Sequence, residues 1–354
     1  MCLTHDVHRH VSGRSDTGAM HRICCLFLSL LLLASLPARA TDAPALDAVL
    51  DDAARLAPLR TVLVARDGVL LAERGYHGAS PGRPTNIKSA SKSVMSALVG
   101  IAIERGLLEG VDQPIAPLLA DRLPTDPDPR LAQVTIGHLL SMQAGLQSTS
   151  GRGYGRWVSQ RDWVRAALAQ PFVDDPGGGM IYSTGSTHLL SAVLARVGGK
   201  PVRVLARDWL GPQAGFSIAS WDTDPQGLHF GGNQMAMTPR SLLAFGELYR
   251  NHGRAASGAQ VLPATWIAQS WTPRTRSVYT GDGYGYGWFA RRLGGHEVRF
   301  AWGHGGQMLY IVPTLGLTVV MTSDESTGVA GSGHLAHLHG LMTRIIEVTD
   351  GAAG

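Results

Sequence analysis

Residues 61–76 read TVLVARDGVLLAERGY and predict a β-hairpin. Two apolar, β-rich runs flank Asp67-Gly68, and Asp-Gly between such runs is a strong short-range signal for a hairpin turn. Antiparallel pairing therefore begins close to the start of the folded region. This argues against a doubly wound parallel sheet, in which neighbouring strands are joined by helical crossovers.

Helices and further strands follow this hairpin, and one helix precedes it. An amphipathic helix is predicted at 41–57, and a nearly all-apolar, and therefore buried, helix is predicted at 89–105. Further helical patterns and strand-like runs lie downstream. The helices are predicted at 138–144, 186–197, 238–252 and 336–347, and the strands at 286–290, 297–301, 308–312 and 317–322.

This order of elements predicts an α+β fold, an α/β sandwich. The simplest assembly is one central antiparallel sheet, built from both ends of the chain and flanked by helices. A mostly helical subdomain, at about residues 107–233, is expected as an insertion between the two halves of the sheet. In a chain of 354 residues we expect one folded domain, at 41–350.

Residues 1–40 have the features of a leader with a secretory signal peptide at 20–40. Arg22 precedes an apolar run, residues 23–36, and the small-residue triplet Ala38-Arg39-Ala40 follows. Cleavage after the triplet predicts an exported protein, periplasmic or secreted. The run is too short for a comfortable membrane span, so no stable membrane anchor is expected. Either Met1 or Met20 is compatible with the true start.

Composition excludes several functional classes. All three cysteines, Cys2, Cys24 and Cys25, lie in the leader, so the exported chain would contain neither a disulfide nor a cysteine nucleophile. The formal charge is +4, and no basic run follows the leader. We therefore expect no nucleic-acid partner, and no protein partner is implied.

Ser89-Ala90-Ser91-Lys92 is the first candidate for chemistry. Serine and lysine three residues apart lie on one face of a helix. A serine hydroxyl needs a neighbouring base, and a lysine can serve once burial lowers its pKa. Lys92 is the only one of the three lysines that stands three residues after a serine. A lysine reaching from the first helical turn to solvent is the alternative interpretation.

Gly78-Ala79-Ser80-Pro81-Gly82 offers a competing nucleophile, Ser80. It matches the G-x-S-x-G elbow, which requires a strand before the serine and a helix after it. Pro81 and Pro84 disfavour that helix, so Ser89 is preferred.

Two later segments hold further candidates. Tyr182 lies between a glycine-rich loop and a predicted helix, where a phenol beside Lys92 could move a proton between serine and leaving group. A core tyrosine is the commoner fate. Residues 303–307, GHGGQ, suggest a strand on which His304 faces the site and the N–H of Gln307 donates to an oxyanion. A strand bulge with a solvent-facing histidine is the alternative.

Together these segments resemble the serine β-lactamase and penicillin-binding superfamily, nearest its class C-like esterase and 6-aminohexanoate-dimer hydrolase branch. The resemblance covers about residues 45–345 and rests on five stretches in the expected order. They are IKSASKSVMSALVGIAIERGLL around Ser89, VTIGHLLSMQAGL (134–146), GGMIYSTGSTHLLSAVLARVGGK (178–200), WDTDPQGLHFGGNQMAMTPRSLLAFGELYRNHG (221–253) and WGHGGQMLYIVPTLGLTVVMTSD (302–324).

The resemblance implies a β-lactamase/transpeptidase-like fold and a serine hydrolase that cleaves esters or amides without a cofactor. Ser89 would be the acylated nucleophile, Lys92 the general base and Tyr182 the proton relay. Ser89, Gly306 and Gln307, with His304 and Thr184, would form the oxyanion and substrate-binding groups. The implied partner is a small ester, amide or peptide substrate.

Two departures from the family pattern bear on the substrate. Thr184 stands where relatives carry asparagine, and His304-Gly305-Gly306 stands where they carry Lys-Thr-Gly. The second change removes a permanent cation that would hold a substrate carboxylate. Neutral esters or amides are therefore favoured. β-Lactamase or D-amino-acid peptidase activity is the first alternative, and a catalytically silent binding or sensor domain is the second.

The remaining histidines and tryptophans carry weaker signals. His334, His337 and His339 have no acidic or cysteine cluster beside them, so we expect a helix surface and no metal site. The tryptophans are compatible with either a pocket wall or the core; they are Trp157, Trp163, Trp221 and Trp288.

Overall fold

The computed structural model describes residues 43–325 and 333–351. The predicted leader lies outside these ranges, so its cleavage and the domain limits 41–350 stay predictions. The strands are β1 (Leu59–Arg66), β2 (Val69–Gly75), β3 (Thr85–Asn86), β4 (Ser220–Trp221), β5 (Met235–Met237), β6 (Thr275–Arg276), β7 (Gly283–Tyr284), β8 (Phe289–Leu293), β9 (His296–Gly303), β10 (Gln307–Val312) and β11 (Leu317–Ser323).

The helices of the same ranges are α1 (Ala43–Ala53), α2 (Ser91–Glu104), α3 (Ile136–Leu140), α4 (Tyr154–Val158), α5 (Trp163–Leu168), α6 (Thr184–Gly198), α7 (Val202–Leu210), α8 (Pro239–Arg250), α9 (Ala264–Trp271) and α10 (His334–Asp350). None of these helices is long and apolar enough to cross a membrane.

The predicted hairpin is present as β1 and β2. Asp67 and Gly68 form its two-residue turn, and both have positive φ, 50° and 84°. Asp-Gly suits this turn because glycine and aspartate tolerate positive φ better than most residues. β1 pairs antiparallel with β11 on its other side, and this pairing joins the two ends of the chain in one sheet.

Eight antiparallel strands make up this large sheet, in the order β2-β1-β11-β10-β9-β8-β7-β6. The predicted central sheet, built from both chain ends, is therefore confirmed. A second sheet, β3-β5-β4, was not predicted, because its strands are only two or three residues long. Short strands leave too few residues for an alternating pattern.

Both faces of the large sheet are covered by helices. Alternation along β1 sends Val62 and Val64 toward one hydrophobic core, with α1 and α10, and Leu63 toward the other, with α2 and α8. Every residue of β10 and β11 is buried, which explains why these strands read as continuous apolar runs.

Several element boundaries differ from the predictions. The predicted strand 286–290 begins at Phe289, because residues 286–288 make a turn around Gly287, whose φ is 76°. The predicted helix 89–105 divides into a 3₁₀ turn, Lys88–Ala90, and α2. The predicted burial of that helix is confirmed, since every residue from Ser91 to Ala102 is buried.

The expectation of three surface histidines on the last helix is wrong for two of them. His334 and His339 are buried, and only His337 is exposed. Nε2 of His334 lies 2.9 Å from Oγ of Ser323, and Nδ1 of His339 lies 3.0 Å from the Tyr310 hydroxyl. One nitrogen of each ring is thus paired with a side chain of the sheet. Within the described ranges no group of three or more potential metal ligands is present.

Candidate active site

Ser89 lies in the 3₁₀ turn that leads into α2 and is half-buried. The preceding residue, Lys88, has a positive φ of 51°, which is uncommon for a residue with a side chain. Two hydrogen bonds hold this conformation. The Lys88 N–H donates to Oδ1 of Asn86 at 2.9 Å, and Oγ of Ser91 donates to the Lys88 carbonyl at 2.7 Å. The backbone that leads into Ser89 is therefore held by the residues around it.

Lys92 lies one turn further along α2 and is 2% exposed. Its Nζ contacts three oxygen atoms: Oγ of Ser89 at 3.1 Å, the carbonyl of Gly232 at 2.7 Å and Oγ1 of Thr184 at 3.4 Å. All three partners are uncharged. Burial lowers the pKa of Lys92 from its ordinary 10.5 to about 7. Near neutral pH a large fraction of this lysine is thus an uncharged amine, which can accept a proton.

Tyr182 completes a close group with these two residues. Its hydroxyl is near enough to Ser89 for the serine side chain to influence its pKa, and Nζ of Lys92 lies 5.1 Å from the centre of its ring. Burial raises the pKa of Tyr182 well above its ordinary value. The phenol therefore keeps its proton at neutral pH and can donate it.

Thr184 begins α6 and joins the same hydrogen-bond network. Its Oγ1 is 2.9 Å from Oγ of Ser150, and that serine oxygen also accepts from the Thr184 N–H at 2.9 Å. The threonine thus takes part in the surroundings of Lys92, a position that sequence alone does not reveal.

A cavity of about 750 Å³ opens over Ser89 and Tyr182. Much of its wall is aromatic, from Tyr154, Tyr182, Tyr279, Phe289 and Trp302. The four tryptophans singled out in the sequence are all buried in the core instead; they are Trp157, Trp163, Trp221 and Trp288.

Charged groups at this cavity are few. Lys88 lines it, but its Nζ is paired with a carboxylate oxygen of Glu325 at 2.7 Å. His304 also lines the cavity. The site therefore contains a serine, a buried lysine and a tyrosine close together, below a largely uncharged, aromatic cavity.

The beta-lactamase family model matches residues 53–339 of this sequence. The chain belongs to the beta-lactamase family. This confirms the resemblance drawn from the five sequence stretches. No curated protein sequence matches the chain.

Solved structures share the fold of this beta-lactamase-family chain. One is a protein from Bacillus anthracis described as a 6-aminohexanoate-dimer hydrolase, with 19% identity, a TM-score of 0.64, and 84% of this chain and 82% of that chain covered. Another is EstCE1, a hydrolase with promiscuous acyltransferase activity. It has 18% identity and a TM-score of 0.67, and the match covers 88% of this chain and 98% of that chain. A third is the octameric penicillin-binding protein homologue from Pyrococcus abyssi. It has 17% identity and a TM-score of 0.66, and the match covers 84% of this chain and 78% of that chain. At these identities the likeness shows the fold alone.

Residues 304–306 differ from the prediction, because they form a turn between β9 and β10 and not a strand. Gly305 and Gly306 have φ of 82° and 96°, values that residues with a Cβ rarely adopt, so extended pairing stops there. His304 is exposed on this turn. Gln307 begins β10 and is buried, and its side chain donates to the Ser323 carbonyl at 2.7 Å. Its side chain is thus engaged with β11.

The alternative nucleophile, Ser80, lies in an exposed loop. No helix follows it, and its Oγ accepts from the Gly82 N–H at 3.3 Å. Neither the geometry of an elbow nor a neighbouring base is present in the described residues around it.

Sequence reasoning missed the segment that carries Gly232, Asn233 and Gln234. The Gly232 carbonyl accepts the shortest hydrogen bond of Lys92, and Asn233 and Gln234 line the cavity. A backbone carbonyl leaves no trace in a residue pattern. The paired glycines at 231–232 were the available signal, since consecutive glycines indicate close approach of another chain segment.

Proposed function

We propose that this protein is a serine hydrolase that cleaves small neutral esters or amides through an acyl-enzyme on Ser89. The observation that supports this most directly is the contact of 3.1 Å between Oγ of Ser89 and Nζ of a fully buried lysine, Lys92. A serine needs a neighbouring base to become nucleophilic, and a lysine with a pKa of about 7 can act as one.

In the proposed reaction the uncharged amine of Lys92 takes the proton of Ser89, and Oγ attacks the acyl carbon. The carbonyl oxygen becomes an oxyanion, for which the backbone N–H groups of Ser89 and Gln307 are the proposed donors. Tyr182 gives its proton to the leaving alcohol or amine and regains one from Lys92. Water then attacks the acyl-enzyme by the reverse proton path, which releases the acid and restores Ser89.

Neutral substrates are favoured by the charge of the cavity. A substrate carboxylate would need a free cation, and the ammonium of Lys88 is already paired with Glu325. The aromatic wall suits an apolar acyl or alcohol group.

The test is hydrolysis of a chromogenic short-chain ester by the wild type and by Ser89→Ala. We expect kcat to fall about 10³-fold or more in Ser89→Ala. Ser80→Ala is the matched control, because it removes an exposed serine outside the cavity, and it should keep full activity. Turnover by Ser89→Ala at the wild-type rate would refute the proposal, and so would a fluorophosphonate adduct on Ser80.

The family match supports a second candidate, hydrolysis of a β-lactam or a D-amino-acid peptide on the same residues. A cephalosporin reporter hydrolysed as efficiently as the simple ester would favour it. Labelling of Ser89 without turnover of any substrate would instead indicate a binding or sensor domain. Export also stays a proposal, and the N-terminal sequence of the mature protein would test it.

A further inference from the structure

His188 and Asp224 form a buried pair outside the cavity. Neither side chain is exposed, and Nε2 of His188 lies 3.0 Å from Oδ2 of Asp224. Aromatic rings surround the imidazole, with the centres of Trp157, Trp163 and Phe230 at 5.7, 5.7 and 5.8 Å from it. Burying a carboxylate and an imidazole among aromatic rings is costly unless both are fully hydrogen-bonded. The proposed reaction uses neither group.

The carboxylate of Asp224 organises the loop that follows it. Its Oδ1 accepts from the backbone N–H groups of Gln226 at 2.8 Å and Leu228 at 2.9 Å, while Oδ2 faces His188. Although burial by itself raises the pKa of Asp224, the hydrogen bonds from His188 and the backbone lower it below its ordinary value. The residue is therefore an ionised acceptor, and His188 donates to it from Nε2.

The other ring nitrogen of His188 holds the glycine pair. Because Nε2 carries the proton, Nδ1 is an acceptor, and the Gly231 N–H donates to it at 3.3 Å. The Gly231 carbonyl accepts from Oγ1 of Thr187 at 3.0 Å. A Cβ on Gly231 would lie 2.1 Å from the Thr187 carbonyl, so this backbone lies directly on α6.

The next residue, Gly232, touches the proposed base. Its carbonyl accepts from Nζ of Lys92 at 2.7 Å, and a Cβ on Gly232 would lie 2.6 Å from Cγ of Lys92. A continuous chain of contacts thus runs from Asp224 through His188 and the two glycines to Lys92.

We propose that His188 and Asp224 are positioning residues, which hold the Gly231-Gly232 backbone over Lys92. This inference rests on the proposed function. Holding this backbone in place has two consequences. The Gly232 carbonyl orients Nζ of Lys92 toward Ser89, and the backbone of the two glycines keeps water away from Lys92. Loosening the segment would hydrate Lys92 and stabilise its charged form, which raises the pKa of the base.

His188→Leu tests this positioning role. The leucine fills the buried position with an apolar side chain and removes the hydrogen bonds of His188 to Asp224 and to the Gly231 N–H. Two readouts are needed. The first is steady-state ester kinetics, which gives kcat and KM. The second is the pH dependence of the rate at which a fluorophosphonate labels Ser89. We expect kcat to fall about tenfold to a hundredfold with KM nearly unchanged, and the acid limb of the labelling profile to move to higher pH.

His339→Leu is the matched control. It also replaces a buried, hydrogen-bonded histidine, but on α10, where its partner is Tyr310. It should lose stability as His188→Leu does and keep the wild-type kcat and acid limb. If His188→Leu does not fold, Asp224→Asn, which conserves shape, is expected to shift the acid limb in the same direction by less.

The inference would be overturned if the folded His188 or Asp224 variant had the same acid limb and the same kcat as the His339→Leu control. Ser89→Ala measured in parallel separates the two levels. If Ser89→Ala is inactive while the His188→Leu profile matches the control, only the positioning role fails. If Ser89→Ala retains turnover, the proposed function itself fails.

Discussion

Nζ of Lys92 lies 3.1 Å from Oγ of Ser89, inside a helix segment whose residues from Ser91 to Ala102 are all buried. Among residues 43–325 and 333–351, the partners of its Nζ are three neutral oxygen atoms, and none of them is a carboxylate. This arrangement does not balance the charge of an ammonium, so the uncharged amine is favoured. The catalytic proposal and a cost in stability both follow from the same contact.

The pH dependence of ester hydrolysis should report the titration of Lys92. Only the uncharged amine can accept the proton of Ser89, and the pKa of Lys92 is about 7. We therefore expect kcat/KM to increase with pH along an acid limb with its midpoint near that value. Stopped assays across the acid and neutral range, in buffers of constant ionic strength, would measure it. A profile that is flat through neutrality would contradict the role of Lys92.

Replacing Lys92 by methionine should stabilise the protein while it abolishes activity. The folded-state pKa of Lys92, about 7, lies below the 10.5 of the unfolded chain. Between these values the unfolded chain binds a proton that the folded protein does not, so wild-type stability rises with pH. The gain of Lys92→Met in free energy of unfolding should thus be largest at and below neutral pH and shrink toward pH 10.5. Urea unfolding at several pH values would measure it, and an equal or lower stability of the variant at neutral pH would argue against the buried amine.

Tyr182→Phe should reduce kcat for the ester by about 10²- to 10⁴-fold, because it removes the hydroxyl proposed to protonate the leaving group beside Ser89. Steady-state kinetics with esters of good and poor leaving groups would show the larger loss for the poor one, which needs the proton. Tyr76→Phe is the control, since its hydroxyl donates to the Leu50 carbonyl at 2.8 Å in the core. Equal effects of the two variants would exclude a proton relay at Tyr182.

The large sheet could be predicted from the sequence because its signals are local. The Asp67-Gly68 turn and the apolar runs of β10 and β11 each carry a pattern within a few residues. The turn at 304–306 was assigned to a strand because a glycine pair is compatible with either extended or positive-φ backbone. Which of the two occurs depends on what the neighbouring segments leave room for.

The candidate site was predictable only in part for a related reason. Ser89 and Lys92 are three residues apart, so helix geometry brings them together without knowledge of the fold. Gly232 is distant in sequence and acts through its backbone carbonyl, which any residue type possesses. The burial of His334 likewise depends on the position of Ser323, which helical periodicity alone does not include.

His304→Lys should shift the substrate preference toward anionic compounds. His304 is exposed at the cavity, and the family resemblance implies a lysine at this position. A permanent cation there should raise kcat/KM for a carboxylate-bearing ester or cephalosporin about three- to tenfold relative to a neutral ester of the same leaving group. His337→Lys adds the same charge on the exposed side of α10 and should leave the ratio unchanged. The effect should decrease at high salt, and an identical ratio in both variants would show that residue 304 does not meet the substrate.

Gly303→Ala should damage both stability and activity, because Gly303 lies against the segment that carries the nucleophile. A Cβ at 303 would lie 2.2 Å from the Ile87 carbonyl oxygen, and backbone atoms cannot move aside as a flexible side chain can. We expect a loss of about 1–3 kcal/mol in the free energy of unfolding, with a lower kcat from displacement of Ser89. Gly340→Ala is the matched control: a Cβ there meets nothing within 4 Å, and the residue lies inside α10. Removing a helical glycine should instead stabilise the protein by about 0.5–1 kcal/mol and leave kcat unchanged. Urea unfolding and ester kinetics on both variants would test the pair, and a Gly303→Ala protein as stable and active as Gly340→Ala would show that β9 does not support the position of Ser89.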